Sequence, residues 1–160
     1  MQNLRYVEIL LARPWSVTLF RNNAFPLANE ARVQIANPVS FLAQKILIHG
    51  KRNRQDRAKD ILYMHDTIET FAPKIDELGV EWASNIRPVL QANSARIIQR
   101  AAAALFGAVT DPIRSASRIV QGRALAPEVI RETCSLGFTR IFEERLPRHQ
   151  RAISIDGAHI

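Results

Sequence analysis

The stretch from Val33 to Asp60, VQIANPVSFLAQKILIHGKRNRQDRAKD, leaves a chain of this kind few ways to fold. Val33 and Ile35 alternate with Arg32 and Gln34, the period of a half-buried strand. Asn37 can cap a helix, and Pro38 suits its first turn, where a missing N–H costs nothing. Gly50 stops that helix, a basic loop follows, and a second helix opens near Lys59 and Asp60. On the first helix, Phe41, Leu42, Ile48 and His49 lie three and four residues from Lys45. Lys45 therefore points toward a packed side. A buried ammonium needs an anion. The plain alternative is a buried stem whose head reaches water.

Residues 4–11 predict a strand, with Glu8 between Tyr6 and Leu10 on one face; a carboxylate there marks a sheet edge or faces a site. Ser16–Phe20 predicts a second strand, Arg21–Asn23 a turn, residues 24–30 an irregular segment and Arg32–Ala36 a third strand. The next helix spans about Gln55–Phe71, with Ile61, Met64, Ile68 and Phe71 on its apolar stripe. Asp60 sits at the edge of that stripe, facing the same cleft as Lys45 or simply complementing the helix dipole. Ala72-Pro73 ends this helix, and 73–79 is a short linker or helix. Glu81–Phe106 reads as one long helix with Pro88 at a kink or a new start. Asp111-Pro112 and Pro127 open two more, Gly122 closes the first of these, and Gly137 loosens the second. From Pro147 the chain is a polar tail.

The expected class is α+β: a small N-terminal three-stranded sheet, then a bundle of about five helices. Residues 1–50 form the α/β part, 51–146 the helical part and 147–160 the tail. Of the 160 residues, 47% are apolar, enough to fold. One cysteine, Cys134, excludes a disulfide framework, fits a reducing cytoplasm and reads as a core thiol. Trp15 and Trp82 read as core anchors. No signal peptide and no membrane-length apolar run are evident. His49, His65, His149 and His159 lack metal spacing.

The net charge of +7 favours polyanionic partners. Lys51, Arg52, Arg54, Arg57 and Lys59 crowd into nine residues, with few aromatics in the cluster, so phosphate contacts are expected before base stacking.

The order N-P-x-x-F-L-A-Q-K-I-L-I, basic loop, R-A-K-D-I-L resembles the back half of bacterial nucleotidyltransferase-fold proteins of the polymerase-beta and abortive-infection-toxin type. Residues 6–11, YVEILL, resemble the family's strand bearing its third carboxylate, at Glu8. The resemblance covers about residues 5–72. It implies nucleoside triphosphate and Mg²⁺ as cofactors, with Glu8 and Asp60 catalytic, Glu8 a metal ligand, and Lys45, Arg57 and Lys59 on the nucleotide. Lys51, Arg52 and Arg54 would extend the phosphate patch. RNA, a protein or a small molecule would be the acceptor or partner, and an oligomer is compatible.

The family's Gly-Ser turn and its aspartate pair are absent: no Gly-Ser dipeptide occurs, and no Asp/Glu-x-Asp/Glu pair precedes Lys45. The expectation is a family member lacking its first third. A different class also suits the charge: a basic helical module that binds nucleic acid or a protein without catalysis.

Overall fold

A computed structural model describes residues 6–20, 30–119 and 122–143. The turn expected at Arg21–Asn23, most of the irregular segment after it and the tail from Pro147 lie outside the described residues. Among those described, two strands and seven α-helices follow one another, so the class is α+β, with one strand fewer and more helices than the sequence predicts.

The missing strand is the first. Val7–Leu10 form one helical turn, α1, entered from a left-handed Tyr6 at φ 77°. Almost every side chain in that run is apolar, so an alternation of Val7 with Ile9 is satisfied by any backbone. Ile9 is buried, and α1 packs on the helix that follows the sheet. Arg13, at φ 51°, and Pro14 then redirect the chain. Strands β1 (Trp15–Leu19) and β2 (Ala31–Ile35) pair antiparallel with Val17 opposite Val33. No residue of either strand is fully buried.

Helix α2 (Pro38–His49) starts as its sequence dictates. The Asn37 side chain accepts a hydrogen bond from the Val39 amide at 2.9 Å, and Pro38 occupies the first turn. Asn37 is itself fixed by donating to Glu81 Oε1 at 2.7 Å. Helix α3 (Arg54–Thr70) is capped by Asn53, which accepts from the Asp56 amide at 2.9 Å. Its inner stripe, Ile61, Met64 and Ile68, is buried.

A short 3₁₀ turn at Ala72–Lys74 leads into α4 (Ile75–Glu81). The predicted long helix 81–106 is divided. A π-helical turn at Trp82–Ile86 and a 3₁₀ turn at Arg87–Val89 precede an extended Leu90, and α5 (Ala92–Phe106) begins afresh. Pro88 lacks the N–H that a continuous helix would use, which explains the interruption. Helices α6 (Asp111–Ile119) and α7 (Pro127–Phe142) complete the bundle, with Gly122 between them at φ 78°.

Gly137 does not loosen α7; it admits α3. A Cβ at that position would lie 2.5 Å from Ile68 Cγ2, so only glycine permits this approach. The buried side chains form one cluster running from Ile9 in α1 to Phe142 in α7. The α2–α3 corner, with its basic loop, stands at one edge of that cluster.

Candidate functional site

Lys45 and Asp60 meet across this corner. Lys45 is 9% exposed and Asp60 only 2%, and Lys45 Nζ donates to Asp60 Oδ1 at 2.7 Å. The head of Lys45 therefore does not reach bulk water; it finds the anion that a buried ammonium requires. Two rings flank the same ammonium, Phe41 at 5.4 Å and Tyr63 at 5.3 Å from Nζ to the ring centroid. Such contacts add a modest electrostatic attraction.

The second carboxylate oxygen of Asp60 faces Arg52. Arg52 Nε lies 3.3 Å from Oδ2, close enough for ion pairing, yet neither atom makes a hydrogen bond although both are buried. The contact is thus one of charge without alignment. The Arg52 side chain is 37% exposed. Arg57 donates to the Gly50 carbonyl at 2.9 Å and so pins the loop to α3. The Lys51 ammonium lies 5.1 Å from the Tyr6 ring centroid, which ties the loop to α1. Arg54 and Lys59 are exposed.

The family resemblance places Glu8 with Lys45 and Asp60, and the structure does not bring it into their contacts. Glu8 is exposed on α1 and makes no hydrogen bond or ion pair among the described residues. It borders a shallow hollow of about 270 Å³ with Ile9, Arg13, Val89 and Leu90. What the sequence reading underrated is the aromatic surround. Phe41 and Tyr63 are neighbours of Lys45 and Asp60 at helical spacing, and Tyr6 reaches the loop from a helix that the sequence did not reveal.

His49 shares the corner. Burial lowers its pKa below the ordinary imidazole value; the Asp60 charge opposes that shift and the Arg57 charge adds to it. The unfolded chain therefore binds this proton more readily than the folded one. Stability contributed by neutral His49 is present above the ordinary value, about 6.5, and is lost as pH falls below it. The melting temperature of His49→Gln is expected to fall less than that of the parent between pH 7 and pH 5. Equal slopes would contradict this assignment.

A second polar group sits apart, on the other side of α3. Asp66 Oδ1 lies 3.0 Å from His65 Nδ1 and accepts from Arg123 at 2.9 Å. Burial alone would raise the Asp66 pKa, but the hydrogen bonds from His65 and Arg123 outweigh it and hold the carboxyl below its usual range. Cys134 is fully buried, and burial pushes its thiol far up, with Asp66 and Glu69 adding to the effect; it is a core residue, not a nucleophile. Among the described residues no group of three His, Cys, Asp or Glu side chains could hold a metal ion. No described helix is long and apolar enough to cross a membrane.

A nucleotidyltransferase family model matches residues 1–86, which span α1, the sheet, α2, α3, α4 and the turn after it. That is more than half of the 160 residues, and the chain belongs to this nucleotidyltransferase family. No curated protein and no solved structure matches it.

Proposed function

We propose that the chain binds a nucleoside triphosphate, with the phosphates at the loop between α2 and α3, and that it serves nucleotidyl transfer where metal-binding carboxylates complete the centre. The observation that carries this reading is the line of alternating charge Lys45–Asp60–Arg52, two of its members almost fully buried. It sums to one positive charge, and Arg52 is the member that meets solvent.

The side of Arg52 that carries Nε faces Asp60. Its two terminal nitrogens make no hydrogen bond to a described residue. A guanidinium drawn by charge toward Asp60 on its Nε side, with no described hydrogen-bond partner at its terminal nitrogens, suits a phosphate in shape and charge. Lys45 sits behind it. Its charge is taken up by Asp60, so its part is to hold that carboxylate in place and so to aim Arg52. Arg57 and Lys59 flank the loop, and Lys51 and Arg54 widen the positive field.

The described residues do not suit Mg²⁺. Asp60 is already met by two cations, and a divalent third would be repelled there. Glu8 stands alone. Transfer of the nucleotidyl group therefore depends on carboxylates beyond these. A reducing compartment such as the cytoplasm agrees with the single buried thiol.

Titration calorimetry of the chain with ATP tests the reading. Saturable binding is expected, weakened about ten-fold or more in Arg52→Ala, the loss of charge-assisted hydrogen bonds. Arg52→Lys should fall between the two, because an ammonium restores charge but not the fork. Binding that ignores Arg52 would contradict it.

A further inference from the structure

We propose that Tyr63 carries the base of the nucleotide, through its ring face, and that purines are thereby favoured over pyrimidines. This rests on the phosphate reading above and extends it to the other end of the ligand.

Tyr63 lies three residues after Asp60 on α3, on the same side of the helix. Its flanking residues Leu62 and Met64 are buried, yet Tyr63 is 51% exposed. Burial of apolar surface does not explain a large ring at this position. The Lys45 ammonium lies over the ring at 5.3 Å from its centroid. The cation holds one face, and with half of the residue exposed the ring keeps surface on which a second planar group can stack. The cation draws electron density through the ring, which favours an electron-rich purine on the outer face. It also fixes the ring, so little rotamer freedom is lost on stacking.

The placement suits one nucleotide. Tyr63 and Arg52 are joined through two shared groups, Lys45 and Asp60. A base on the tyrosine and phosphates on the arginine would bracket the buried carboxylate. Asp60 Oδ2 is enclosed and makes no hydrogen bond, with Arg52 Nε at 3.3 Å beside it. Stacking reads the π-face and not the hydrogen-bonding edge, so adenine and guanine should be accepted alike.

The test compares ATP, CTP and inorganic tripolyphosphate binding to the full chain in magnesium-free buffer, for the parent, Tyr63→Ala, Tyr63→Phe and Arg52→Ala. In the parent, ATP should bind about ten-fold tighter than tripolyphosphate, with CTP between them. Tyr63→Ala should bring the three together and leave tripolyphosphate affinity unchanged. Tyr63→Phe should keep the ATP advantage.

An ATP advantage that survives Tyr63→Ala overturns the proposal. So does a parallel loss of tripolyphosphate binding in that variant, which would make the ring a mere support for Lys45. Tripolyphosphate binding that is weakened by Arg52→Ala, with no ATP advantage in the parent, sinks the base assignment alone and leaves the phosphate reading standing. Failure of tripolyphosphate to bind removes the phosphate reading, and this proposal with it.

Discussion

Replacing Asp60 by alanine is expected to cost about 3–5 kcal/mol of folding stability, read as a lower urea midpoint. The reason lies less in the lost bond than in what is left behind. Lys45 is 9% exposed, and its ammonium would keep its burial while losing its anion at 2.7 Å. Phe41 and Tyr63 can offset only a fraction of that cost. The double variant Lys45→Met/Asp60→Leu removes both charges and should recover most of the loss, since apolar replacements of a buried pair are often neutral or stabilising. Arg52→Ala should change stability by no more than about 1 kcal/mol, because its side chain is more than a third exposed. That contrast separates a residue that holds the corner together from one that is free to meet a ligand. Equal losses for Asp60→Ala and Arg52→Ala would contradict the geometry.

Trp82→Ala is expected to cost a similar amount, about 3–5 kcal/mol, in the same measurement. Trp82 is 1% exposed and sits where α4 gives way to the π-helical turn. It meets Phe142 edge-on at 4.8 Å between centroids. Phe142 stacks on Phe138 at 5.3 Å, and Phe138 on Phe106 at 5.4 Å. This row of four rings joins the turn after α4 to α5 and α7. Truncation at its end removes the largest buried side chain and leaves a cavity that helices anchored elsewhere cannot close. Trp82→Phe keeps a ring in place and should lose about half as much. A loss below about 1 kcal/mol for the alanine variant would show that the row does not bear on the packing of α7.

The corner was legible in the sequence because its signals are local. Asn37-Pro38 suits a helix start, Gly50 ends it, and the apolar stripe of α3 sets which way Asp60 turns. Lys45 and Asp60 could therefore be expected at one cleft, with a helix-dipole role for Asp60 as the alternative. Glu8 was expected on a strand and lies instead on a helical turn, because its segment is apolar at nearly every position and the left-handed Tyr6 and Arg13 that shape it carry no glycine or asparagine to announce them. The break at Pro88 was visible, but a π-helical turn before it was not, since proline reports where a helix fails and not how the preceding turn widens. The Asp66–Arg123 pair spans 57 residues, and no periodicity reaches that far. Tyr63 carries no signal in the sequence, because an aromatic on a helix is ordinarily core, and only its exposure beside a buried ammonium sets it apart.

If the buried Lys45–Asp60 pair aims Arg52 at a phosphate, Arg52 outweighs the other cations of its loop. Arg54 offers the sharpest comparison, being exposed, two residues away and of equal charge. ATP affinity measured for Arg52→Ala and Arg54→Ala, at low salt and at about 0.15 M, separates the two arginines. A loss of at least about ten-fold is expected for Arg52→Ala at both salt levels, and of less than about two-fold for Arg54→Ala. Equal losses in the two variants, vanishing together as salt rises, would instead describe a diffuse basic patch and would contradict it.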